Sequence, residues 1–233
     1  MVSEVGLINN ELEQTLYGID TGGKSFYDEF WDAFQKDGNR AKYHYAFFQW
    51  GGDTIRPKYK VAPTDVQSLN QTFCESKVKK IESAYFDFSQ KVSGSYDNNS
   101  AYYTFNSCTN LEEIEDIGLF ESFKYYATFS WSKKLHTIAK MRVAETTKYQ
   151  SVFNGCSALE NLTIEGVIGQ DGFSVSDCKK LSADSIRNII EHLSDTASGK
   201  TLTLSKTAVN NAFTTDEWTA LAATKKNWTI SLA

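Results

Sequence analysis

The chain has 233 residues, a formal charge of −5, 41% hydrophobic residues and 14% aromatic residues. That suffices for the core of one large domain or two small ones, and 2 prolines with 14 glycines exclude a collagenous or low-complexity chain. The acidic balance argues against a dedicated nucleic-acid binder, and no apolar run approaches the ~18 residues of a membrane span.

Residues 1–24 are read as a helical segment over 3–20. Val5, Ile8, Leu12 and Leu16 form a stripe near 3-4 spacing, with Asn and Glu elsewhere, and Gly22-Gly23 ends it. The stripe serves either packing on the chain's own domain or an oligomerisation and attachment stalk. Glu4, Glu11 and Glu13 replace the basic start of a secretory signal, so no such signal is read and export would use another route, such as host lysis.

Residues 25–71 form an aromatic helix-strand module. Ser25 with Asp28 makes a capping-box-like start, and Phe26, Phe30, Phe34 and Trp31 line one helical face, read as core. Tyr43, Tyr45, Phe47, Phe48 and Trp50 follow as strand residues, and Gly51-Gly52-Asp53 marks a turn.

Residues 72–181 carry a repeated phrase. Phe105, Cys108, Leu111 and Ile114 recur as Phe129, Ser132, Leu135 and Ile138, and again as Phe153, Cys156, Leu159 and Leu162, at a period of 24. A fourth, partial copy keeps Val175, Cys178 and Leu181. A degraded first copy has Phe73, Val78 and Ile81, one residue short, with Cys74 out of register. A fixed period in this range predicts a solenoid in which each unit buries its apolar face against its neighbours. The Leu-x-x-Ile step suits a short strand, and cysteine serves as a small hydrophobe between turns, so free thiols are expected rather than disulfides. The polar stretch 89–103 reads as an exposed loop between the degraded copy and the regular ones.

Residues 182–233 read as a cap over the open end: a helix started by Ser182, a strand through Leu202 and Leu204, a helix with the Thr214/Glu217 capping box, and a strand through Trp228, Ile230 and Leu232. The expected class is therefore α+β, an irregular leucine-rich-repeat solenoid with an N-terminal module and a C-terminal α/β cap.

The phrase resembles the BspA-like leucine-rich repeat family, whose units read roughly F-x-x-C-x-x-L-x-x-I-x-I. The segment from Phe26 to Tyr59 and the closing Trp218 and Trp228 are also similar to elements of gut phage and prophage proteins. The resemblance implies a non-enzymatic virion protein (tail, baseplate or head decoration) or surface-binding protein. Its partners would be other virion or surface proteins, a host-surface protein or glycan, or further copies of itself. It would be assembled in the host cytoplasm. The alternative is an intracellular phage protein that inhibits a host factor, in the bacterial cytoplasm.

No phosphate loop, C-x-x-C, H-E-x-x-H or G-x-S-x-G occurs, and the three histidines fall in different predicted elements, so no catalytic residue, metal site or cofactor is expected. Glu112, Glu113, Glu115 and Asp116 read as a solvated face rather than a glycosidase pair. The outward positions of the repeat strands predict one polar, mildly acidic strip: Glu113 and Glu115, then His136 and Thr137 with Ala139, then Asn161, Thr163 and Glu165. Nothing aromatic lies on that strip to stack a sugar ring.

Overall fold

The computed structural model describes residues 49–55, 69–84, 86, 100–118 and 124–233. The expected N-terminal helix with Val5, Ile8, Leu12 and Leu16, the aromatic helix, and most of the 89–103 loop lie outside them.

In chain order the strands are β1 (Lys80–Ile81), β2 (Ser100–Tyr102), β3 (Glu113–Ile114), β4 (Ile117–Gly118), β5 (Lys124–Tyr126), β6 (Thr137–Val143), β7 (Lys148–Gln150), β8 (Asn161–Gly166) and β9 (Ser174–Val175). Helix α1 (Ala183–Glu191), β10 (Lys200–Leu204), α2 (Lys206–Ala212), α3 (Thr215–Ala222) and β11 (Trp228–Leu232) complete the described residues. Three sheets form: β1-β3-β6 with β4 and β8 both on β6, then β2-β5-β7, then β9-β10-β11. Every pairing among these strands is parallel.

This corrects the expected α+β class and its irregular leucine-rich-repeat solenoid. Among the described residues the architecture is α/β-like, with three parallel sheets and three helices. The physical reason is directional: each copy of the phrase runs the same way as the one before, so equivalent segments can pair only in parallel. Glu113 faces Thr137, which faces Asn161, at the 24-residue period. Beyond Ile138 the register shifts by one, so that Met141 opposes Ile164, a bulge that places an extra residue in β6.

The phenylalanines stack. Phe73 lies 4.9 Å from Phe105, Phe105 5.8 Å from Phe129, and Phe129 5.4 Å from Phe153, all nearly parallel. Phe173, not Val175, ends the column, edge-on to Phe153 at 5.8 Å. Phe105, Cys108, Leu111, Ile114, Phe129, Leu135, Ile138, Phe153, Cys156, Leu159 and Leu162 are all buried, as the spacing demands.

Between turns the chain bonds to itself. Phe105 N–H donates to the Thr128 carbonyl and Phe129 N–H to that of Val152, at 2.8 and 3.0 Å. Residues two before and two after each phenylalanine take positive φ: Tyr103 and Ser107, Ala127 and Trp131, Ser151 and Gly155. These turn the corners of each unit, and only the glycine does so without strain. A Cβ on Gly155 would also sit 2.8 Å from the Trp131 ring.

The cysteine position is a hydrogen-bonding one. Cys108 Sγ donates to the Phe73 carbonyl at 2.8 Å and Cys156 Sγ to the Phe129 carbonyl at 3.0 Å. Ser132 Oγ donates to the Phe105 carbonyl at 2.6 Å, which is why serine fits where cysteine is usual. In the degraded copy Ser76, fully buried, takes that position. All four cysteines are buried free thiols. Residues 49–55 bond along this first copy, with Lys77 N–H on the Trp50 carbonyl and Lys79 N–H on that of Asp53.

At the far end α1 covers β8. A bare edge would leave N–H groups unpaired. Ser185 Oγ accepts from Leu162 N–H at 2.9 Å and Asn188 Oδ1 from Ile164 N–H at 2.7 Å. Asn188→Ala should strand the Ile164 amide and lower stability by about 1–3 kcal/mol. Urea unfolding with hydrogen exchange at Ile164 checks this; unchanged exchange there would show that the edge is closed by other means. Ser182 caps α1 and Thr214 with Glu217 forms the capping box of α3, as the sequence predicts. Helix α2, capped by Ser205, was not expected. Trp228 Nε1–H donates to the Ser194 carbonyl at 2.9 Å and anchors β11.

Candidate functional site

Two outward faces carry the candidates. On the first sheet, Glu113 lies in β3, Thr137 begins β6, and Asn161, Thr163 and Glu165 lie in β8. His136, Asn161 and Thr163 are exposed, and Glu113, Glu115, Thr137 and Glu165 are partly so. Three of them form one cluster: Thr137 Oγ1 is 2.9 Å from His136 Nδ1 and accepts from Asn161 Nδ2 at 3.3 Å.

The carboxylates of the strip are paired with lysines. Lys80 in β1 reaches Glu113 at 3.2 Å and Glu115 at 2.7 Å. Lys140 lies 3.4 Å from Glu165. Two lysines therefore offset most of the charge of three carboxylates, a pairing that depends on register rather than on the phrase itself. The bulge in β6 also sets Ala139 out of line with Thr163.

Lys80 and then the Ser83 N–H hold the Glu115 carboxyl down, to about 2. A depressed carboxyl adds stability that is full above its ordinary value of 4.5 and lost as pH falls toward about 2. Glu115 is about a third exposed, so solvent screening limits the effect to about 1 kcal/mol or less. Glu115→Gln should be less stable than the parent at pH 6 and equal to it near pH 2. Urea midpoints across that range check the convergence; a gap that persists at pH 2 would mean that packing, not charge, is responsible.

Beneath the strip, Arg142 holds Asp116 through two contacts, Nη1 to Oδ1 at 2.5 Å and Nη2 to Oδ2 at 2.6 Å. Burial pushes the Asp116 carboxyl above its ordinary value, against the pull of the guanidinium. Tyr125 reaches over from the second sheet and its hydroxyl donates to the Arg142 carbonyl at 3.0 Å. Gly118 makes room for it: a Cβ there would lie 1.8 Å from that hydroxyl oxygen, and its φ is +100°.

The second face was missed. In β2-β5-β7 the middle residues Ala101, Tyr125 and Tyr149 are buried, while the flanking positions line up outward. One column runs Tyr102, Tyr126, Gln150; the other includes Lys124 and Lys148. Tyr102 and Tyr126 stack at 4.8 Å. Gln150 then replaces the third tyrosine, and a cleft of about 410 Å³ opens there, lined by these side chains and by Gln170, with Asp171 and Lys200 beyond. The signal was present in the sequence: the same 24-residue step that relates the phenylalanines also relates Tyr102 to Tyr126 and Lys124 to Lys148, just ahead of each phrase.

The thiols of Cys108, Cys156 and Cys178 are withdrawn from both faces. Burial pushes the thiols of Cys108 and Cys156 up to about 12 and that of Cys178 well up. Among the described residues no group of three or more His, Cys, Asp or Glu is placed to hold a metal ion, and no helix is long and apolar enough to cross a membrane. Comparison of the chain with protein-family models, curated proteins and solved structures finds no match.

Proposed function

We propose that this chain is a non-enzymatic binding protein of a phage particle or bacterial surface, working through the outward faces of its parallel sheets on proteins or glycans. The observation that carries the reading is the registered outward array: Glu113, Thr137 and Asn161 on one sheet, Tyr102, Tyr126, Lys124 and Lys148 on the other. An array of alternating donors, acceptors and aromatic faces on a rigid parallel scaffold suits recognition of a polar surface. The thiols of Cys108 and Cys156 are spent on carbonyl hydrogen bonds between turns. The phage context rests on the resemblance of the repeat phrase.

Two measurements test the reading. Mass spectrometry of purified particles should find the chain among the virion proteins, or labelled full-length chain should be retained on host cells. Absence from both would overturn it. The triple change Glu113→Lys, Thr137→Arg and Asn161→Arg, with folding verified by circular dichroism, then separates the faces. Lost binding assigns the contact to the first sheet, and retained binding assigns it elsewhere.

A further inference from the structure

We propose that the cleft on β2-β5-β7 binds an acidic oligosaccharide, with a sugar ring against Tyr126 and its carboxylate between Lys124 and Lys148. This deepens the binding reading above and rests on it.

The geometry begins with the interrupted ladder. Tyr102 covers one face of Tyr126 at 4.8 Å. On the other side the registered neighbour is Gln150, which carries no ring. The aromatic column thus ends at Tyr126, which Tyr103 also meets edge-on at 5.3 Å and which lines the cleft. An aromatic ring takes the apolar side of a pyranose, while amides such as Gln150 and Gln170 suit its hydroxyls.

The charge points to an anion. Lys124 and Lys148 are register partners on adjacent strands, whose backbones lie about 4.8 Å apart. Neither has an ion-pair partner among the described residues. Asp171, the acid of the cleft, is already engaged: it accepts from Thr201 N–H at 2.8 Å and faces Lys200 at 3.9 Å. Against a chain of net charge −5, this leaves a local excess of positive charge beside an aromatic face. Two free lysines match the one or two carboxylates of a short uronate or sialylated glycan. They are too few for a nucleic-acid backbone, which needs a continuous basic track and would be repelled by the rest of the chain.

The test is calorimetric titration of the full chain with tetragalacturonate, a hyaluronan tetrasaccharide and sialyllactose. Lactose serves as the neutral control and a thymidine octanucleotide as the nucleic-acid control. At least one acidic sugar should bind, at least tenfold more tightly than lactose and the oligonucleotide, and more weakly as salt is raised. Lys148→Glu, at an exposed position, should reduce that affinity at least tenfold, and Tyr126→Ala should do the same. Lys124→Gln with Lys148→Gln is the surface variant that keeps the test valid if Tyr126→Ala disturbs folding. Lys180→Glu, at an exposed turn position outside the strands, should leave it unchanged. Failure to bind any acidic sugar, equal binding of lactose, tighter binding of the oligonucleotide, or indifference to Lys148→Glu would each overturn the inference. Continued retention of these variants on host cells would remove the cleft alone and leave the broader binding reading standing. Sugar binding by a chain found neither in particles nor on cells would do the reverse.

Discussion

Phe129→Ala should lower the unfolding free energy by about 3–5 kcal/mol, the usual loss for emptying a buried aromatic position. Phe129 is fully buried and sits in the middle of its column, 5.8 Å from Phe105 and 5.4 Å from Phe153. Truncation removes three ring–ring contacts at once, the third with Tyr125 at 6.3 Å, and opens a cavity that the surrounding backbone cannot fill. That backbone is held by ladder bonds such as Phe129 N–H to the Val152 carbonyl, at 3.0 Å. Phe129→Leu should recover part of the loss. Urea unfolding followed by tyrosine and tryptophan fluorescence measures it, and a loss below about 1 kcal/mol would mean that the column is not continuous.

Asp116→Ala should be nearly as damaging, at about 3 kcal/mol, because it leaves the Arg142 guanidinium buried beside a hole. Arg142 is 6% exposed and gives Asp116 its two shortest contacts; Glu165, at 3.6 Å from Nε, is nearly half exposed and compensates poorly. The double change Asp116→Leu with Arg142→Met removes both charges and should be less destabilised than Asp116→Ala alone. Denaturation of Asp116→Ala, Arg142→Met and the double variant checks the order. If the double variant is the weakest of the three, the pair itself, rather than the burial of a lone charge, holds this layer together.

Both predictions come from contacts between copies of the phrase, and only one of the two was readable in advance. The phenylalanine column follows from a 24-residue period alone, since equivalent residues of successive units stack wherever the units stack. The Asp116–Arg142 pair spans one period plus two residues, because Arg142 is registered with Gly118 and Asp116 lies two residues before it. No spacing rule points to it. The pairing of Lys80 with Glu113 and Glu115 was hidden for a similar reason: the first copy is one residue short, so its register against β3 is set by packing of Phe73 on Phe105 and not by sequence distance.

The sequence by itself determined the period, the buried residues of each copy and the helix caps at Ser182 and Thr214, because these depend on local spacing and on side-chain chemistry within a few residues. Tertiary structure decided the fold class and the character of the surface. Parallel pairing divides each unit between two sheets, and the reading of one strand per unit overlooked β2-β5-β7 entirely. The charge of the outward face it described is largely offset by cross-strand pairing. The aromatic and basic face that it lacked lies on the other sheet, where Tyr126 ends a stack and Lys124 meets Lys148. Which side chains become neighbours across strands is a matter of register, and register is set by the packing of whole units against one another.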